Sequence, residues 1–273
     1  MRAVTPRRGR PVRAGEPVRR LLPPLSEAAG MVAAMTHEFD LVRSLAAGAE
    51  DRHAAWDFVR GFAEHWTAAP LDTGGCPEAE VAAAEERLGL RLPPALREAY
   101  TLLGGREDLT SNHDTLRALA ELYVDEAGEA LVFRDENQGA ARWGILLRDL
   151  ALDDPPVLVR PDLADKNAER WEGWLERTSL AFLEIVLSEA AQAPTGPVDY
   201  LDAPDDEVLE RLERDATRLP FPLYPAEDPC IRWFLYRDVL LRDDAGSWIH
   251  ARGRTAEALD GIRDVLAGDW LEG

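Results

Sequence analysis

The chain has 273 residues, of which 46% are hydrophobic and 30% are charged, an ordinary composition for a globular protein. It carries 31 basic and 51 acidic residues, a formal net charge of −20, and two cysteines without CxxC spacing. These figures exclude a disulfide framework or a zinc ribbon and predict two buried free thiols, Cys76 and Cys230, in a reducing compartment. No run of about 20 apolar residues and no secretory signal is present, so we expect a cytoplasmic protein that makes no membrane contact.

The charge is unevenly distributed along the chain. Residues 1–34 contain seven arginines and two glutamates, which leaves 24 basic and 49 acidic residues, a net charge of −25, for residues 35–273. A field of this sign repels nucleic acid and speeds association with basic partners. It is also typical of a surface that only maintains solubility, so both interpretations remain open.

Residues 1–34 are predicted to form a disordered tail rich in Arg and Pro. They contain too few apolar residues to offset the entropy lost on ordering. The tail is either a basic arm or a stretch that is not translated, in which case the protein begins at Met31 or Met35.

Two helices are predicted between Phe39 and Trp66, where apolar residues recur at helical spacing. The first helix ends at Gly48, and Asp51 is placed to cap the second. Trp56 shares a stripe with the other apolar residues of the second helix, which predicts that it belongs to the core.

Proline and glycine predict the limits of two further helices. Pro77 begins one at a position where its missing N–H costs nothing, and Gly89 ends it in the left-handed conformation. Leu92-Pro93-Pro94 begins the next, and Gly104-Gly105 ends it. The predicted buried faces consist of Val81, Ala84, Leu88, Leu96, Tyr100 and Leu103.

The hydrophobic period becomes that of strands after residue 120. Residues 120–134 predict two strands around a turn at 125–128, and residues 142–148 and 157–160 predict two more. The segment from Trp171 to Trp174 has no clear type, although core positions are favoured for both tryptophans.

A strong helix follows the strands, and a linker follows the helix. Thr178 or Ser179 is expected to cap the helix, which runs to Leu187. Residues 193–197 (Ala-Pro-Thr-Gly-Pro) are the clearest linker in the body of the chain. The elements predicted beyond it are a helix over 205–216, a hairpin of strands 231–242 and 247–252 joined by 243–246, and a helix from Thr255 to Leu266.

Polar side chains directly after a predicted strand form the best candidate site. Glu136 is a candidate general base there, with Asn137 or Gln138 to orient a carbonyl. Alternatively, the two amides satisfy backbone groups in a turn and pack beside Trp143. A binding role is favoured over both, and the candidate partner-binding residues are Asp135, Glu136, Asn137, Gln138 and Trp143. The sequence shows no catalytic motif, no metal-ligand spacing and no phosphate loop, so we expect no catalytic residues, metal or cofactor.

The region from about residue 76 to 190 resembles the SUKH superfamily, the Smi/Knr-type homology domain. In that family a helix with an acidic residue near its end leads into a Leu-Pro turn, and a second helix ends at a Gly-rich turn before an antiparallel sheet. The residues that carry the resemblance are Glu85, Leu88, Gly89, Leu92, Pro93, Leu96, Tyr100, Gly104 and Gly105.

The resemblance implies an α+β fold: a mostly antiparallel curved sheet with helices packed against it. Residues 35–192 are then a SUKH-like domain with N-terminal helices. Residues 193–273 are expected to be a helix-hairpin-helix extension packed on that domain, since they are too few for a large core of their own.

The resemblance also implies binding without enzyme activity. Bacterial members are immunity proteins that neutralise polymorphic toxins, often nucleases, and fungal members are intracellular scaffolds. We therefore expect an immunity-type inhibitor whose acidic surface binds a basic protein toxin. The alternatives are a regulatory scaffold or small-ligand sensor on the same fold and, less favoured, an enzyme with its site around Glu136.

Overall fold

The computed structural model describes residues 39–67, 70–71, 74–225 and 230–271, and the predicted tail lies outside them. These residues form an α+β protein, as the order of predicted elements indicated, and their strands make two antiparallel sheets where one was expected. None of the helices in this part of the chain has the length and apolar character needed to cross a membrane. The helices are α1 Leu41–Glu50, α2 Arg52–Trp66, α3 Glu78–Leu88, α4 Pro94–Leu103, α5 Glu107–Thr110, α6 Thr178–Ala191, α7 Asp206–Asp215 and α8 Ala256–Val265.

The strands divide between the sheets in chain order. The first sheet has the order β1-β3-β4-β5-β6, with β2 also paired to β3, and the second has the order β7-β11-β10-β9-β8. The strands are β1 Thr115–Leu116, β2 Tyr123–Val124, β3 Ala130–Asp135, β4 Ala141–Leu146, β5 Val157–Pro161, β6 Glu172–Leu175, β7 Val198–Asp202, β8 Thr217–Arg218, β9 Ile231–Tyr236, β10 Val239–Asp244 and β11 Trp248–Gly253.

The second sheet corrects the prediction of a single C-terminal hairpin. The predicted strand over 231–242 is two strands, because the chain reverses at Arg237, whose φ of 52° lies in the left-handed region. Arg237 is not a residue type that favours this conformation, so the turn gave no signal in the sequence. β7 and β8, which were not predicted, complete the sheet.

Helix α6 lies at the centre of the fold, and all 14 of its residues are buried. Phe182 stacks on Phe133 of the first sheet at 5.9 Å between ring centroids and contacts Trp56 of α2 edge-on at 6.2 Å. The second sheet packs on the same helix, where Arg252 donates to the carbonyl oxygen of Ala190 at 3.0 Å. The outer face of the second sheet forms a separate core with α7 and α8.

Most predicted helix limits are confirmed, but α1 continues past its predicted end at Gly48 to Glu50, and one cap is corrected. Asp51 caps α2 through the amide of Ala54, and Gly89 has a φ of 66°. Neither Thr178 nor Ser179 caps α6. Instead Asp154, from a preceding loop, accepts hydrogen bonds from the amide and hydroxyl of Ser179 at 2.8 and 2.5 Å.

The cysteines and the unassigned tryptophans have definite places. Among the described residues Cys76 and Cys230 form no disulfide, but only Cys230 is buried, which corrects the prediction for Cys76. Trp171 and Trp174 are half-buried at the outer strand of the first sheet. Trp174 belongs to β6 and lies 5.6 Å from the ring of Trp143.

Candidate functional site

The predicted site loop joins β3 to β4, and its acidic residues make internal contacts. Asp135 pairs with Arg117 at 2.5 Å. One carboxylate oxygen of Glu136 accepts hydrogen bonds from the amides of Gln138 and Ala140, each at 2.8 Å. The Glu136 carboxylate therefore holds the turn in shape.

The amides of this loop face outward, and Asn137 connects it to a neighbouring loop. Its backbone N–H donates to Asp114 at 3.3 Å, and its side-chain nitrogen lies 3.2 Å from the ring nitrogens of His113. His113, Asn137 and Gln138 are exposed. The two loops thus form one polar rim at the edge of the first sheet.

Trp143 lies apart from this rim. The residue is 9% exposed, and its ring is covered by the Arg134 guanidinium, whose carbon lies 4.7 Å from the ring centroid. A bulge between Val132 and Arg134 shifts the pairing of β3 with β4. The structure therefore brings Asp135, Glu136, Asn137 and Gln138 together and places Trp143 in the interior.

The residues that carry the family resemblance have structural contacts. Glu85 is buried and accepts a hydrogen bond from the amide of Leu92 at 2.9 Å, which joins the end of α3 to the Leu-Pro turn. Tyr100 donates its hydroxyl to the carbonyl oxygen of Arg117 at 2.7 Å. A Cβ on Gly104 would lie 2.3 Å from the Cys76 sulfur, so a side chain there would force a rearrangement. Leu88 packs against the core, and Pro93 is the N-cap residue of α4. Gly105 donates its amide to the carbonyl oxygen of Gly74 at 2.7 Å.

A buried charged cluster supports the rim from below. Arg134 contacts Glu189 at 2.6 Å, Asp114 at 3.2 Å and Glu184 at 3.4 Å. Glu189 also accepts the backbone N–H of His113 at 2.6 Å, so helix α6 fixes the position of the histidine loop. Burial raises the pKa of Glu189, because it disfavours the charged carboxylate more than the nearby Arg134 guanidinium favours it.

The same cluster extends to the second sheet. The Tyr224 hydroxyl donates to Glu184 at 2.6 Å, and the Trp233 indole donates to the Tyr224 oxygen at 3.3 Å. Burial raises the pKa of Tyr224 well above its ordinary value, so this hydroxyl keeps its proton at neutral pH. Hydrogen bonds thus join β9 to helix α6 across the interior.

A cleft of about 720 Å³ opens between the edges of the two sheets, and it is the candidate functional site. His113 and Gln138 of the polar rim border it on one side, and residues 193–196 of the predicted linker border it on another. The second sheet supplies the opposite wall, which consists of Tyr200, Asp244, Trp248 and His250. The volume is that of a ligand pocket or of a socket for one or two side chains.

Three rings of the second sheet form the wall of this cleft. The Tyr200 ring lies 5.6 Å from that of Trp248 at an interplanar angle of 60°, and 6.0 Å from that of His250 at 32°. Burial, and then the nearby charge of Arg242, lower the pKa of His250 to about 4. His250 is therefore neutral at pH 7 and adds no positive charge to the wall.

This wall was not predicted from the sequence, although a signal for it exists. Along β11 the polar or aromatic residues Trp248, His250 and Arg252 alternate with Ile249 and Ala251. This period of two predicts one apolar face and one polar, aromatic face. Nothing in the sequence predicted that the polar face would lie opposite the loop of Asn137 and Gln138, because that contact depends on how the sheets pack.

Comparison with protein-family models, with curated proteins and with solved structures finds no significant match to this chain. Within the described ranges, no group of three or more His, Cys, Asp or Glu side chains is arranged to hold a metal ion. The resemblance of residues 76–190 to the SUKH superfamily therefore stays a prediction, and the fold class rests on the structure alone.

Proposed function

We propose that this chain is a non-catalytic binding protein that uses the rim and cleft between its two sheets to bind a basic protein partner. The proposal rests on the hydrogen bonds of Glu136, whose carboxylate accepts from two backbone amides at 2.8 Å and so fixes the turn. This arrangement supports a preformed contact loop over a general base, since it presents Asn137 and Gln138 to solvent in one fixed conformation.

The charge of the outer surface supports a basic partner. Helices α7 and α8 carry exposed acidic side chains and three arginines, two of which pair within the protein: Arg214 with Asp215, and Arg263 with Asp199 and Asp260. An excess of exposed carboxylates raises the rate of encounter with positively charged proteins. The exposed acidic residues of the two helices are Asp206, Glu207, Glu210, Glu213, Asp215, Glu257, Asp260 and Asp264.

The form of binding that the SUKH resemblance implies is immunity, in which the chain neutralises a polymorphic toxin such as a nuclease. An acidic inhibitor would cover the basic surface with which such a toxin binds its nucleic acid substrate. The partner is then a protein, and the chain requires no cofactor.

The test uses the immobilised full chain as bait for basic secreted proteins of the source organism. The expected result is capture of one basic protein at a one-to-one ratio, with loss of its toxic activity in the complex. The double variant Asn137→Ala/Gln138→Ala should weaken capture at least about tenfold, because truncating central contact residues commonly costs more than 1.4 kcal/mol. The matched control Glu80→Ala/Glu86→Ala, on the exposed face of α3, should bind normally. Capture without loss of toxic activity would contradict the inhibitor function.

A second candidate function is that of a scaffold or small-ligand sensor, and the volume of the cleft favours its sensor form. Trp143 and Glu136 do not line the cleft, so such a ligand would contact the aromatic wall of the second sheet instead. A screen of small molecules for raised thermal stability distinguishes the two functions, since a sensor gains stability from its ligand without a protein partner.

A further inference from the structure

The strongest feature outside the predicted site is the row of side chains on the cleft face of the second sheet. Trp248 pairs with Asp202 of β7 on one side and with Asp244 of β10 on the other. Directly opposed residues of antiparallel strands share a face, with Cβ atoms about 5 Å apart. Two carboxylates therefore flank one indole ring.

The neighbouring row adds a second ring. Tyr200 pairs with His250, and its ring is inclined at 60° to that of Trp248, so the two rings form a corner in the wall of the cleft. Aromatic faces attract cations, and Trp attracts them most strongly. A corner of Trp and Tyr with adjacent carboxylates has the composition of a cation-binding site.

No cation of the chain occupies this corner within the described residues. The arginines that lie over aromatic rings cover Tyr123, Trp143, Phe234 and Tyr236. Asp244 has one cationic neighbour, Arg242 at 3.8 Å, which is longer than a hydrogen bond, and its side chain is 33% exposed. Asp202 is exposed. Both carboxylates thus keep capacity to bind a cation from outside.

We propose that this corner binds an arginine side chain of the basic partner, with the guanidinium stacked on Trp248 and its N–H groups donated to Asp244 and Asp202. The inference rests on the proposed function and names the chemistry that the cleft recognises. Arginine fits better than lysine, because its planar guanidinium can stack on a ring while its fork of donors reaches carboxylates beside that ring. The net charge of −25 over residues 35–273 favours a cationic over an anionic occupant.

The test is a titration of the full chain with Nα-acetyl-arginine methylamide, followed through the indole N–H signals of its tryptophans by NMR. The signal of Trp248, identified by its loss in Trp248→Phe, should shift in a saturable manner with a Kd in the range of about 1–10 mM, as expected for one partly exposed cation site. The citrulline derivative has the same shape without the charge, and we expect it to cause no saturable shift. The lysine derivative should bind more weakly than the arginine derivative.

Variants distinguish the corner from general acidity. The double variant Asp244→Asn/Asp202→Asn should weaken binding of the arginine derivative by about tenfold or more. The control Glu80→Gln/Glu86→Gln removes the same charge elsewhere and should leave this binding unchanged. The indole signals of the variants report whether they remain folded. Equal binding of citrulline, tighter binding of lysine, or no shift of Trp248 up to about 50 mM would overturn the proposal.

This outcome is separable from that of the proposed function. If the arginine derivative binds but no basic protein is captured and neutralised, the result supports the arginine site and contradicts the inhibitor function. If a toxin is captured but its affinity is the same for Trp248→Phe and Asp244→Asn/Asp202→Asn as for the unmodified chain, the function stands and the corner is not its contact.

Discussion

At the scale of single residues, the interior contains opposite charges that stabilise one another. Arg134 is almost fully buried and is held between carboxylates of α6 and of the histidine loop. The sequence signal for such a cluster is a charged residue inside an apolar run, as in Leu131-Val-Phe-Arg134. A buried ion pair adds little over apolar packing, but breaking one is costly because the remaining charge has no partner.

We predict that Arg134→Met lowers the free energy of unfolding by about 3–5 kcal/mol, because Glu184 and Glu189 would then be buried without a cation. The control is Arg117→Met, which removes the half-exposed pair with Asp135 and should cost about 1 kcal/mol or less. Urea denaturation at pH 7 measures both. Similar losses for the two variants would contradict the prediction.

A second prediction at this scale concerns His250, whose pKa falls from 6.5 to about 4 on folding, through burial and the charge of Arg242. Between these pH values His250 binds a proton in the unfolded chain but not in the folded chain, so folding stability is lost as the pH falls from about 6.5 to about 4. One pKa unit corresponds to about 1.4 kcal/mol, so protonation of this group lowers the free energy of unfolding by roughly 3 kcal/mol.

The variant His250→Gln should remove that part of the acid dependence, while exposed His53→Gln should retain it. Urea midpoints measured from pH 7 to pH 4 provide the comparison, with the carboxylates common to all three chains. If His250→Gln loses stability as steeply as the unmodified chain, then His250 is not the group responsible.

At the scale of elements, helix ends were predicted well where a nearby residue supplies the cap. Asp51 and Thr255 lie directly before the helices that they cap, so the sequence alone identifies them. The cap of α6 could not be found in this way, because Asp154 is 25 positions before Ser179 in the chain. A cap provided by a distant loop depends on tertiary packing.

We predict that Asp154→Ala lowers the free energy of unfolding by about 1–2 kcal/mol, the usual effect of losing a helix N-cap. Asp153→Ala is the matched control, since that side chain is exposed in the same loop and its backbone carbonyl contacts are kept. Thermal unfolding of the two variants measures the difference. Equal stabilities would show that Ser179 does not need the carboxylate.

At the scale of the whole molecule, α6 joins the two sheets into one folding unit. Leu240 of the second sheet belongs to the same core as α6, while Leu241, its neighbour in β10, belongs to the outer core with α7 and α8. Because α6 is buried on all sides, unfolding of either sheet would expose to water the apolar surface that this sheet covers. We therefore expect the sheets to unfold together.

We predict that Leu241→Ala lowers the free energy of unfolding by about 2–5 kcal/mol. Hydrogen exchange of the slowest amides should then become faster in β3 by as much as in β10. Although the substitution lies in the outer core, the loss should appear throughout the described body. Exchange that accelerates in β10 but not in β3 would mean that the second sheet opens independently.

Local structure could be predicted from the sequence, because it depends on contacts between residues close in the chain. Hydrophobic period, proline and glycine placed α1 to α4, the turn at Gly128 and the α+β class. The turn between β3 and β4 was also predicted, and within it Asn137 and Gln138 are exposed while Asp135 and Glu136 are half-buried. Trp143 was assigned to the binding surface because only its position in the chain was visible.

The packing of the two sheets across α6 was decided by tertiary structure alone. It buried Arg134 against two carboxylates that lie 50 and 55 positions away in the chain, and it brought Gln138 to the same cleft as Tyr200 and Trp248. The physical reason is that these contacts gain free energy from burial and charge pairing between distant segments, and no period or spacing records which segments will meet. Hydrophobic period and turn residues predicted most of the helices and several of the strands, and the composition gave the acidic charge, whereas the position of the candidate cleft follows only from the way in which distant segments pack.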